Sequence, residues 1–370
     1  MTTSMHPTPI SVSTHQASTL AERWTTLRED QPRARIRDAA EQLGVSELEL
    51  RATEIAGQAS GEAGAVRLLG EAIPELLTEL HRLGEIMALT RNHWAVHEKV
   101  GPWEPAKIGP EMGLVVDDPI DLRLFMRRWA HALAVSEVIG HGPDAGQLRH
   151  SFQFFDQSGD AIHKVFVREP ERVATFVTLA DRFRSDDQAP TQVVVARTPT
   201  PPARPDAEID VAGFQAGWLG LRDTHEFFPL LREHGVTRTQ ALRLAPEGHA
   251  IAVDLDAITR VLERAAATET PIMVFVGNPG CIQIHTGPIV RVRPLGPWIN
   301  VMDPGFNLHL RTDGVVEAWV VRKPTEDGIV TSLELFDARG ETIALLFGAR
   351  KPGKPERADW RERIAELLPD

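Results

Sequence analysis

The stretch "LRDTHEFFPLL" (221–231) sets His225 between polar capping residues and two phenylalanines. An imidazole against that much apolar surface has two readings: a hydrogen-bonded core residue, or a metal ligand. Asp223 and Glu226 have the spacing of a capping box with Asp223 as N-cap, so the spacing predicts His225 in the first turn of a helix. The positive end of the helix dipole disfavours imidazolium there, and the neutral ring is the form that binds a metal ion. Pro229 either kinks this helix or leaves the His225 carbonyl unpaired.

Other candidates are weighed the same way. "DLRLF" (121–125) alternates like a strand, and Arg123 on it either faces water, pairs with Asp121, or serves as a permanently charged donor to a ligand. "HWAVHEK" (93–99) spaces His93 and His97 four apart, one face of a helix. A His-Glu-x-x-His site needs the glutamate after the first histidine, and here Glu98 follows the second, so no separate metal site is expected. "GNPGC" (277–281) lacks a following helix, which argues against a phosphate loop. Cys281 is the only cysteine, which excludes an internal disulfide or thiolate cage and suits a reducing cytoplasm. The absence of tyrosine excludes a phenolate ligand.

The elements that must position these groups show a repeat. "IMALTRNHWAVHEKVGPWE" (86–104) parallels "IMVFVGNPGCIQIHTGPIV" (272–290), "DLRLF" parallels "NLHLR" (307–311), and "SFQFFDQSGDAIHKVFV" (151–167) parallels "TSLELFDARGETIALLF" (331–347). The three matches come in the same order, which argues for duplication. His309 falls opposite Arg123 in this alignment, and no first-half histidine matches His225. The Pro-rich, polar segment 187–210 reads as an extended connector between domains at 20–186 and 211–370, and residues 1–19 as a disordered tail. Helices are expected in 21–53, broken near Pro32 and stopped at Gly44, and in 255–269. Short alternating segments divided by Gly and Pro turns, such as the hairpin about Asp156–Gly159, favour antiparallel pairing. The expected fold class is α+β: a tandem duplication of an antiparallel-sheet module with flanking helices, in two pseudo-symmetric halves.

The chain of 370 residues is 42% hydrophobic and 25% charged, and no apolar run approaches a membrane span. The N-terminus lacks the basic start and apolar stretch of a secretory signal. A net charge of −12 argues against general nucleic-acid binding.

The strings "MALTRN", "AVHEK", "DLRLF", "LRDTHEFFPLL", "PIMVFVGNPGCIQIHTGP", "FNLHLR", "AWVVRKPTEDGIVTSLELFD" and "FGARKPGKPE" closely resemble the cytoplasmic haem-utilisation proteins called hemin-degrading factors, of the HemS/ChuS/PhuS/HmuS type. The resemblance runs over residues 20–365 and implies two HemS/ChuX-like domains with haem b in a cleft between them. It implies His225 as the proximal iron ligand, Arg123 on the distal side as the catalytic candidate with Phe125 beside it, and Phe275 in the haem wall. Lys323, Arg350 and Arg238 would then stand near the propionates. Relatives often carry Gln and Tyr before the last arginine, where this chain has Leu345 and Phe347.

Two functions follow from the resemblance. One is haem oxygenase-like degradation that releases iron and draws on O2 and an external electron donor. The other is a non-enzymatic carrier that takes haem from an inner-membrane ABC importer to a separate haem oxygenase. A single histidine ligand with an open opposite position suits both.

Overall fold

The computed structural model describes residues 19–55, 63–116, 118–140, 142–197, 201–351 and 353–369. The tail expected over 1–19 lies, up to residue 18, outside the described residues. The helices are α1 (Leu20–Asp30), α2 (Ile36–Leu43), α3 (Glu47–Ala52), α4 (Ile73–Glu79) and α5 (Val173–Arg182), then α6 (Val211–Leu219), α7 (Phe227–His234), α8 (Arg238–Arg243), α9 (Ala257–Ala267) and α10 (Ala358–Ala365). The first half contributes strands β1 (Gly64–Leu68), β2 (Glu85–Arg91), β3 (Ala95–Pro102), β4 (Lys107–Ile108), β5 (Met112–Val116), β6 (Asp121–Phe125), β7 (His131–Val138), β8 (Leu148–Phe155) and β9 (Ala161–Val167). The second contributes β10 (Ala250–Ala252), β11 (Ile272–Asn278), β12 (Cys281–Gly287), β13 (Val292–Leu295), β14 (Trp298–Asp303), β15 (Phe306–Arg311), β16 (Glu317–Thr325), β17 (Gly328–Phe336) and β18 (Thr342–Gly348). Among the described residues no helix is long and apolar enough to cross a membrane.

Local chemistry explains the helix boundaries. The chain breaks after α1 at the Pro32 region and restarts at α2, as the sequence predicts. Gly44 ends α2 in the left-handed region (φ 69°), and Ser46 caps α3 in a box with Glu49. Gly235 (φ 63°) and the Thr237–Gln240 box repeat this arrangement between α7 and α8.

The strands form two nine-stranded antiparallel sheets, ordered β1-β7-β8-β9-β2-β3-β15-β14-β13 and β10-β16-β17-β18-β11-β12-β6-β5-β4. The two lists correspond term by term, so the duplication is visible as topology. They also correct the expectation that each half closes its own sheet. After β3 the chain crosses to add β4–β6 to the edge of the second sheet, and after β12 it crosses back to add β13–β15 to the first. The joints are β6 on β12 (Ile282 opposite Arg123) and β15 on β3 (Leu308 opposite His97). A strand's alternation shows which residues face inwards but not whose edge it completes. The buried side of β6, Leu122 and Leu124, packs into the first-half core with Phe154 and Leu77. The buried side of β15, Leu308 and Leu310, packs into the second-half core with Val274 and Leu333.

Between the sheets lies a polar seam. The His285 ring stacks on Phe306 at 3.9 Å and 2°, and its Nδ1 lies 3.2 Å from Lys99 Nζ. His97 is fully buried beside Phe306. Burial pushes the His285 imidazole down to about 3 and that of His97 well below its ordinary value. His93 lies in the turn before β3, edge-on to Trp94, so the two histidines of "HWAVHEK" are separated, and no metal-ligating cluster occurs among the described residues.

The first residues of the connector are tied down. Arg67 bonds Asp187, Ala189 O and Thr191 O, while Gln188 Nε2 donates back to Arg67 O. It is not a free hinge between separable halves, because one guanidinium clamps several of its residues and two strand exchanges lock the halves together. Cutting the chain within the exposed residues 201–205 should therefore leave the two pieces co-eluting on a sizing column until denaturant is added; separation under native conditions would contradict the interleaved sheets.

Candidate functional site

Strand register assembles one half-buried face on the second sheet. One row runs Asp121, Ile284, Phe275, Leu345, Glu334, Trp319 across six strands. The next runs Thr286, Met273, Phe347, Ser332, Val321, and on the other side Arg123, Ile282 and Gly277 align. Phe125, two residues beyond Arg123, shares this face by the alternation of a strand. Met273, Phe275, Ile282, Leu345, Phe347 and Phe125 are all half-buried, and the Phe275 and Phe347 rings meet edge to face at 5.1 Å. The result is an apolar wall left partly open to solvent.

Arg123 stands at one edge of the wall, its guanidinium paired with Asp121 and 30% exposed. The pairing expected from the sequence is present, but Arg123 is not on a separate lid. It reaches the wall through the strand exchange that seats β6 on β12.

At the other edge is a buried charge network. Glu334, with no exposure, accepts from Arg238 Nε and Nη2 (2.9 Å each), Lys323 Nζ (2.7 Å) and Ser332 Oγ (2.9 Å). Burial alone would raise its carboxyl, but Arg238 and then Lys323 overcome that and hold it at about 2. Lys323, expected at a propionate, is itself buried and bound to Glu334, with Nζ 4.6 Å from the Phe227 ring centre. The Arg238 guanidinium lies 5.4 Å from both the Phe227 and Phe228 ring centres. Arg350 donates to Asp327 at 3.1 Å, in the turn joining β16 and β17.

The network supports the turn that carries His225. The Asp223–Glu226 capping box forms, on a 3₁₀ turn over Thr224–Glu226 that runs into α7. Pro229 falls in the first turn of α7, where an N–H needs no partner, so it does not kink the helix. This turn packs against β16. Asp223 Oδ1 accepts from the His225 backbone N–H (2.7 Å) and faces ring Nδ1 at 2.5 Å. The backbone bond chiefly, and then the ring, hold the Asp223 carboxyl below its ordinary range. The imidazole is 90% exposed, so the core-residue reading of His225 is set aside. With Asp223 accepting from Nδ1–H, Nε2 is left as a bare donor atom for a metal ion. Sequence reasoning missed Glu334, Met273 and Ile282. The first is a carboxylate inside an alternating strand, and only the convergence of Arg238 and Lys323 explains its burial.

Glu334→Gln should lower unfolding stability at pH 7 by about 3–5 kcal/mol, because it leaves buried cations without their counter-charge. The folded carboxyl titrates at about 2 against 4.5 unfolded, so its contribution is present above 4.5 and is lost as pH falls towards 2. The gap between wild type and variant should thus narrow over that window in urea melts taken at successive pH values. A gap that stays constant would rule out the ionised network.

Comparison with known proteins agrees with this architecture. The family model described as the haemin-degrading HemS.ChuX domain matches twice, over residues 44–183 and 235–367. The hemin transport protein HmuS of Yersinia pestis is 39% identical over 354 residues, covering 95% of this chain and 98% of that protein. The crystal structure of holo-PhuS, a heme-binding protein from Pseudomonas aeruginosa, superposes with a TM-score of 0.88 at 46% identity, covering 94% of this chain and 98% of that one. The heme degrading enzyme ChuS of Escherichia coli O157:H7 gives a TM-score of 0.83 at 37% identity, covering 95% and 99%. With two matched domains, two topologically equivalent sheets and full-length relatives, this chain belongs to the HemS/ChuS/PhuS family of tandem HemS/ChuX-domain proteins.

Proposed function

We propose that this chain binds one haem b against the apolar wall of the second sheet, with His225 as the iron ligand, and degrades it to release iron. The observation that carries the reading is the combination of that wall with a bare imidazole nitrogen and flanking cations. Phe275, Phe347, Met273, Leu345 and Ile282 would exclude water from one face of the macrocycle. Arg238 and Arg350 would face the carboxylates at its rim, Arg350 by exchanging its bond to Asp327. Lys323 would act through Glu334, fixing Arg238 and Phe227. The likeness to a hemin transport protein, a heme-binding protein and a heme degrading enzyme supports haem as the ligand.

The degradative reading rests on two groups. Asp223, by accepting from Nδ1–H, makes the His225 ring a stronger electron donor through Nε2. Arg123 supplies a charged donor to whatever occupies the opposite side, and Asp121 orients it. Haem would supply the redox-active iron; O2 and external electrons would be co-reactants. With Leu345 and Phe347 apolar, Arg123 is the charged donor on the wall's open side.

A second reading, haem carriage from an inner-membrane importer to a separate haem oxygenase, is favoured by the exposure of His225. A ligand at the surface on a short turn is readily handed over.

Spectral titration should give one haem per chain, and His225→Ala should abolish the histidine-ligated spectrum or move ligation elsewhere; an unchanged spectrum and affinity would exclude His225. Arg123→Ala should bind haem nearly as well but hold the sixth ligand less tightly by roughly 1.5–3 kcal/mol. Loss of haem as complete as in His225→Ala would overturn this division of roles. Anaerobic loading, followed by O2 and a reductant with catalase present, decides between the readings: release of a tetrapyrrole supports degradation, and intact haem supports carriage.

A further inference from the structure

The registry that builds the wall on the second sheet furnishes the equivalent face of the first sheet with charges. Its row Arg91, Val96, His309, Asn300, Arg293 corresponds to Gly277, Ile282, Arg123, Leu114, Lys107. Lys164 stands where the second sheet has Leu345, and Glu98 where it has Ile284. Counted back from the left-handed glycines Gly44 and Gly235, Arg37 on α2 takes the place of Phe228 on α7. Arg91 fills the place that Gly277 leaves open. This face therefore offers no flat apolar wall.

What it offers is a pair of guanidiniums with no ion pair among the described residues. Arg37 Nη1 and Arg91 Nε converge on one carbonyl, Asn92 O, at 3.2 and 3.3 Å. Arg37 Nη2 approaches His93 Nδ1 at 3.4 Å, and the terminal nitrogens of Arg91 have no partner among the described residues. No carboxylate among the described residues lies within ion-pair distance of either side chain. Glu47, the carboxylate that attracts Arg37 most, is buried and joined to Lys164. Asp38 acts on both arginines, and Glu41 on Arg37, only from beyond ion-pair distance. Burial and the like charge of Arg37 push Arg91 down to about 10. The first turn of α2 has no side-chain cap either. Arg51, the buried arginine nearby in sequence to Arg37, is by contrast satisfied by Glu54 and Glu137. Two half-buried like charges sharing a carbonyl are costly in a ligand-free protein.

We propose that Arg37 and Arg91 bind a small oxyanion, the phosphate or carboxylate group of a metabolite, at a site related to the haem wall by the internal duplication. Both guanidiniums turn from the shared carbonyl to a ligand that accepts two parallel N–H bonds, the geometry that phosphate and carboxylate share. The site is separate from His225 and does not depend on haem binding.

Calorimetric titration of the haem-free full chain at low salt with inorganic phosphate, pyrophosphate and citrate tests it. At least one probe should bind with a stoichiometry of one, and preference for pyrophosphate or citrate identifies the class. Arg91→Gln and Arg37→Gln should each weaken binding about tenfold or more, and His225→Ala should leave it unchanged. Without anion, Arg91→Gln should melt no lower than wild type, because it removes a repulsion, and its melting temperature should no longer rise with the probe. Failure of all three probes, binding indifferent to both glutamine variants, loss of binding in His225→Ala, or a lower melting temperature of anion-free Arg91→Gln would each overturn the proposal.

Discussion

Glu334 is a carboxylate with no access to water, and Arg238 and Lys323 are both committed to it. Removing a charge from water costs several kcal/mol, so each member needs the others in place. Arg238 comes from α8, while Lys323 and Glu334 come from β16 and β17, so the network pins a helix to a sheet. Phe227 and Phe228 at the start of α7 lie against the two cations, and the turn bearing His225 precedes them directly. The imidazole is exposed and makes no core contact of its own. Its position is set from beneath, by a charge network centred on the buried Glu334 and Lys323.

The strand exchange has a comparable consequence at the opposite edge of the wall. Arg123 and Phe125 belong to the first half by sequence and to the second sheet by hydrogen bonding. A group contributed through a continuous antiparallel ladder is held as firmly as the strands around it. The site therefore draws on both halves without needing them to move. The same exchange gives each core apolar residues from the other half, such as Leu124 in one and Leu308 in the other.

Duplication preserved topology and changed chemistry. The two sheets match strand for strand, yet one face is lined by Phe275, Leu345 and Phe347 and its counterpart by Leu89, Lys164 and Phe166, with Arg91 in place of Gly277. Since pairing in a sheet is made by backbone groups, outward side chains could diverge without disturbing the fold. One half presents an apolar face, and the other presents Arg37 and Arg91 without an ion pair among the described residues.

The α+β class, the repeat and the capping chemistry at Asp223, Ser46 and Gly44 are legible in the chain because they depend on neighbours a few residues apart. So is the alternation that puts Arg123 and Phe125 on one side of a strand. The family motifs are equally legible, and they imply His225 as the iron ligand. Partnerships across distance were not readable. Nothing in "SLELFD" distinguishes Glu334, which is buried, from a solvent-facing glutamate, because its burial depends on cations eleven and ninety-six positions away. Nor does "DLRLF" reveal which sheet edge it completes, because the exposed N–H and C=O groups of any strand edge are chemically alike. Periodicity determined which side of each element faces inwards. Only the tertiary structure decided which surfaces meet, since that choice rests on long-range burial and charge pairing summed over both halves.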